Sequence, residues 1–137
     1  MRDLSLVSLL LAVCLAGLAG CGGVVCDEGH ASVAMARSVS QADLARLFSE
    51  AETIARTRPT ISENAPVKTP LPKFDLSPLV FVRYTDDQAS VKLAACFDHG
   101  VYLSLDELNT PQGRIELSWG EGPASGRQVL WSRHSTP

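Results

Sequence analysis

From Leu44 to Ala55 the apolar residues Leu44, Leu47, Phe48, Ala51, Ile54 and Ala55 recur at spacings of three and four. That period gathers them on one side of a helical cylinder and predicts an amphipathic helix over about 41–57. Ser40 and Asp43 stand where a capping box would start it, Val39 and Leu44 occupy the staple positions, and Pro59 stops it. Arg56 and Arg58 suit the negative end of the helix dipole, and Glu52, four residues before Arg56, predicts an ion pair on a solvated face. Prolines at 59, 66, 70, 72 and 78 then deny the chain a helix, so 59–78 reads as an extended connector.

From Leu79 the period changes to two. Leu79–Tyr84 is a nearly continuous apolar run, the pattern of a strand buried on both faces. Val91, Leu93, Ala95 and Phe97 alternate with Ser90, Lys92, Ala94 and Cys96; Val101, Leu103 and Leu105 continue the inward set. Ile115, Leu117 and Trp119 alternate with Arg114, Glu116 and Ser118, and Val129 and Trp131 share a side of the last strand. Turns are expected at Thr85–Gln88, at Asp98-His99-Gly100, with Gly100 in the left-handed position of a three-residue hairpin, and through Asn109–Gly113. The expected fold is α+β: one amphipathic helix covering one face of an antiparallel meander of about five strands over 79–133. On this alternation Cys96 falls on the face opposite Leu93 and Ala95. No internal repeat interrupts the reading.

The amino terminus follows neither period. No charge occurs from Leu4 to Ala19, Leu9–Ala16 is continuously apolar, and Arg2 precedes it. The run is shorter than the ~20 apolar residues that cross a bilayer and it ends in small residues, which is the form of a secretory signal. Leu18-Ala19-Gly20-Cys21 resembles the lipobox of bacterial lipoproteins. The resemblance implies cleavage before Cys21, acylation of its thiol and new amine, and a domain held in water beside a membrane. Because Gly22 follows the cysteine rather than Asp, it also implies the outer membrane, facing the periplasm. The organisation expected is a signal over 1–20, a lipidated terminus and tether over 21–38 with a helical turn or irregular strand near 31–37, and one domain over 39–137.

Of the four cysteines, Cys14 leaves with the signal and Cys21 takes lipid, so Cys26 and Cys96 remain as thiols in an oxidising space. They are expected to form a disulfide. The alternatives are a buried Cys96 beside a free Cys26, or a bridge to another chain. Neither cysteine has the C-x-x-C or paired-His company that zinc requires.

Composition narrows the function. Twelve Lys and Arg against 15 Asp and Glu give a net charge of −3 with no basic stripe, so nucleic acid is not an expected partner. The three histidines, His30, His99 and His134, fall on the tether, a hairpin tip and the tail, where no triad would assemble. Cys26-Asp27-Glu28-Gly29-His30 lacks a second ligand cluster and reads as solvated linker, and Gly120–Gly126 lacks the Lys-Ser/Thr and following helix of a phosphate loop. No metal, cofactor or catalytic residue is therefore expected. Aromatic residues suit a protein interface, which makes Tyr102, Trp119 and Trp131 the candidate partner-binding residues, Tyr102 foremost; the alternative is that both tryptophans belong to the core and that Tyr84 and Tyr102 merely line a sheet face. The reading is a lipid-anchored protein of the bacterial envelope that acts by binding, its anchored partner being the bilayer through acylated Cys21 and its functional partner another envelope protein. Two roles compete: an assembly accessory with the format of pilotin-like lipoproteins, or an inhibitor or immunity-type protein against a lytic enzyme, presenting the Gly120–Gly126 loop.

Overall fold

The computed structural model describes residues 25–57, 65–97, 99–122 and 125–135. The expected signal segment over 1–20 and Cys21 lie outside the described residues, as does Asp98 of the expected turn. Among the described residues two α-helices, α1 (Ala31–Arg37) and α2 (Gln41–Thr57), precede six strands: β1 (Ala65–Pro66), β2 (Val80–Thr85), β3 (Gln88–Ala95), β4 (Gly100–Asp106), β5 (Arg114–Trp119) and β6 (Gly126–Ser132). The strands form one antiparallel sheet in the order β1-β2-β3-β4-β5-β6. The class is α+β as expected, with a second helix and a two-residue strand from the proline-rich connector added.

α2 occupies Gln41–Thr57 and buries Leu44, Leu47, Phe48 and Ala51. Ser40 Oγ accepts from the Asp43 N–H at 3.1 Å and donates to the Asp43 carboxylate at 3.0 Å, satisfying one of the amides a helix start leaves open. α1 is too short to show a period. His30 caps it by accepting from the Ser32 N–H at 3.1 Å through Nδ1, and Val33 and Ala36 are fully buried. Packing therefore begins at Cys26, and 31–38 belongs to the domain rather than to a tether.

Alternate residues of the strands form the core under the helices. Phe81, Val91, Leu103 and Leu117 lie in one cross-strand row and Ala89, Leu105, Ile115 and Trp131 in another; all are buried. Phe48 of α2 stacks on Trp131 with ring centroids 4.8 Å apart. The alternation breaks in β3. Lys92 pairs with Tyr102 but Ala94 pairs with Val101, so a bulge takes up one residue and reverses the phase. Ala95 and Phe97, expected inward, are exposed, and Cys96 is turned toward the covered face instead of away from it. There it forms the expected disulfide with Cys26, with Cα atoms 5.6 Å apart. Gly100 has no left-handed backbone; a Cβ there would stand 2.7 Å from the Ala94 carbonyl oxygen, so the hairpin needs glycine for space.

Glu52 also departs from expectation. It is 9% exposed and lies between α2 and the sheet, not on a solvated face. Its carboxylate pairs with Arg133 and accepts from the Asn109 N–H at 2.8 Å, while Arg56 donates instead to Asn109 Oδ1 at 2.6 Å. Glu50, two residues earlier, accepts from the Lys68 N–H (2.6 Å) and from the Thr69 N–H and hydroxyl (2.9 and 2.6 Å). Two carboxylates of one helix thus tie down the connector and the β4–β5 loop.

Candidate functional site

The helices cover one face of the sheet. The other face carries the alternate set of side chains in register: Val82, Ser90, Ser104, Glu116 and Val129 form one row, and Lys92, Tyr102, Ser118 and Arg127 the next. Among the described residues no helix lies on it. A shallow open depression of about 540 Å³ runs across it toward the β2–β3 turn, lined by Arg127, Glu116, Arg114, Asp106, Glu107 and Asp87 among others. The charges there alternate in sign along the sheet. Arg114 faces Asp106 at 3.7 Å, Arg127 faces Glu116 at 3.8 Å, and Gln88 Nε2 donates to Asp106 at 2.6 Å. Such partly exposed pairs contribute roughly 0–1 kcal/mol to stability, because water screens them and the long side chains lose entropy when held. They are loosely held and free to exchange partners with an incoming surface. With four carboxylates, Asp87, Asp106, Glu107 and Glu116, against Arg114 and Arg127, the depression does not gather a polyanion; its ion pairs suit a surface with matching alternation of sign.

Tyr102 stands on this face, half-buried, toward the disulfide end of the sheet. Lys92 Nζ lies 5.5 Å from its ring centroid, and the His99 ring is also 5.5 Å away. The lysine over the ring gives a cation–π contact, and the ring edge lies over Gly100, where a Cβ would come within 2.9 Å of Tyr102 Cε2. The tyrosine thus packs across the hairpin end of the sheet and leaves part of its ring exposed on this face. The side chain of Tyr84 lies outside the described residues.

The two tryptophans are placed elsewhere. Trp119 is 6% and Trp131 9% exposed, both on the covered face, so each contributes to the core and offers little area to a partner. Trp119 packs flat against Gly126, where a Cβ would come within 2.2 Å of its ring, and the Arg37 guanidinium covers it with Cζ 5.1 Å from the centroid. Arg37 is held in turn by Glu28 at 2.9 Å and by Gln128 Oε1 at 2.7 Å. In the loop between β5 and β6, Gly120 and Gly122 have φ of 69° and 65°, which glycine tolerates without cost, and residues 123–124 lie outside the described residues.

The histidines do not converge. His134 follows β6 at the far end of the sheet, His99 lies at the β3–β4 hairpin, and His30 caps α1. Ligand atoms of His30, Cys26 and Cys96 do lie within 4.8 Å of one another. In the disulfide the sulfurs are not thiolates, the form a metal would need, and His30 Nδ1 is occupied by the helix cap. The cluster is a staple that joins α1 to the end of β3. Sequence reading missed Lys92, Ser104, Glu116 and Arg127 as members of a site, although the alternation that placed Leu103 and Leu117 inward carries them outward. No helix among the described residues is long and apolar enough to cross a membrane. No protein-family profile matches the chain, and neither a curated protein nor a solved structure matches it significantly.

Proposed function

We propose that this chain is a lipid-anchored envelope protein that acts by binding another envelope protein through the open face of its sheet. The uncovered face is the observation that carries the proposal. An antiparallel sheet normally keeps one face in water, but here that face offers the half-buried Tyr102 beside Lys92, a shallow depression and paired charges within one continuous surface. The anchor is proposed from Leu18-Ala19-Gly20-Cys21, and the Cys26–Cys96 bridge supports an oxidising compartment. Of the two binding roles the open face favours assembly. It is broad and shallow, and a partner that lies across it need not have a cleft, whereas an inhibitor acts by inserting a projecting segment. A photoreactive side chain at Ser104, in the middle of this face, tests the proposal in producing cells: a discrete adduct with one envelope protein is expected.

A further inference from the structure

Among the described residues four large apolar side chains are conspicuously exposed: Val25 (59%), Leu76 (39%), Phe97 (85%) and Val129 (53%). Val129 belongs to the open face. The other three gather at one end of the domain. Val25 and Phe97 each adjoin one half of the disulfide, whose Cα atoms are 5.6 Å apart, so their own Cα atoms lie within about 13 Å of each other at one Cα step on either side. The Leu76 N–H donates to the Leu93 carbonyl at 3.3 Å, three residues before Cys96. The opposite end of the sheet is different in kind, with exposed Asp86, Asp87 and Glu107.

The chain length outside this structure decides what covers the apolar end. Three residues, 22–24, separate Val25 from Cys21, and even fully extended they allow about 14 Å. Seven residues of β4 carry the sheet roughly 20 Å away from that end. An acyl group on Cys21 therefore keeps the disulfide end, not the acidic end, at the bilayer, and the bridge makes this orientation a property of the folded domain. Resting on the lipid-anchored reading above, we infer that Val25, Leu76 and Phe97 form a lipid-contact patch beside the anchor, with Phe97 inserted among the headgroups. An aromatic ring exposed to this degree loses unfavourable contact with water by entering the interface. Lys73 and Asp75 precede Leu76 and Asp27 follows Cys26, so the nearby charge is mixed and the contact is apolar. Phosphatidylcholine without anionic lipid is sufficient for it. The strands then run away from the membrane and the open face looks sideways along it, accessible to a neighbouring protein.

The test uses the full-length protein purified from membranes, its mature mass recorded first, and reconstituted in phosphatidylcholine vesicles with brominated acyl chains. Phe97→Trp and Val25→Trp report on the patch, Asp86→Trp on the opposite end, and the parent protein, whose two tryptophans are buried, gives the baseline. The emission added by Phe97→Trp is expected to fall roughly twofold in brominated lipid, as for a side chain at the headgroup boundary, with Val25→Trp following and Asp86→Trp unaffected. An acylated protein showing no quenching at Phe97→Trp, or equal quenching at Asp86→Trp, overturns the patch and leaves the anchor standing. Blue-shifted, unquenched emission that depends on protein concentration assigns the patch to a second copy and also overturns it. A mass that shows an unacylated chain still carrying residues 1–20 overturns the anchored reading itself.

Discussion

Leu103 and Ser104 are neighbours in β4 and meet opposite demands. Leu103 is fully buried between Val91 and Leu117 beneath the helices, whereas Ser104 is half-buried between Ser90 and Glu116 on the face that no helix covers. The attachments that hold the elements together lie on the side of Leu103: the stack of Phe48 on Trp131, the Cys26–Cys96 bridge, and the Glu52 carboxylate that binds Arg133 and Asn109. On the side of Ser104 there are loose ion pairs and a tyrosine braced by a lysine. The attachments that secure the fold are concentrated on one face, and the proposed recognition role falls to the other.

Removing the bridge by Cys26→Ser with Cys96→Ser breaks the covered side most severely. A closed loop of 70 residues restricts the unfolded chain enough that its loss is expected to cost roughly 4 kcal/mol, read as a lower urea midpoint. Leu103→Ala is expected to cost about 3 kcal/mol, because a fully buried leucine leaves a cavity its neighbours fill only in part. Its neighbour sharpens the contrast: Ser104→Ala should change stability by less than about 0.5 kcal/mol. Glu52→Ala comes between them at about 2 kcal/mol, since it strands the Asn109 N–H and the Arg133 charge, the latter eased by water because Arg133 is 38% exposed. Equilibrium urea unfolding measures the whole series, the three single substitutions at equal slope and the bridge variant with a steeper one, because opening the loop expands the unfolded chain.

The inward sets of β4 and β5 and the limits of α2 are legible from residue spacing alone, because one period runs unbroken through each. Three features are not. The β3 bulge reverses the phase between Lys92 and Ala94, and alternation cannot announce its own interruption, so Phe97 reads as core and stands in solvent. Glu52 reads as a surface charge because its partner Arg133 is 81 residues away, beyond any local pattern. α1 has too few residues for a period, and its cap is a histidine rather than one of the short polar residues that mark helix starts. The tryptophans show the limit on the functional side. Size and aromaticity suit an interface and a core equally, and only the packing of Trp119 on Gly126 and of Trp131 on Phe48 decides between them. The outward position of Tyr102 was legible because its neighbours Val101 and Leu103 both had to point inward.

The most direct test of the central claim is photocrosslinking in producing cells, comparing a photoreactive side chain at Ser104 with one at Thr53 on the exposed outer surface of α2. A single discrete adduct with another envelope protein is expected from Ser104 and none from Thr53, and the adduct should be lost when Tyr102→Ala is added, a variant whose urea curve shows it still fully folded in the absence of denaturant. Adducts of equal yield from both positions, or none from Ser104 while Thr53 captures a partner, would contradict it.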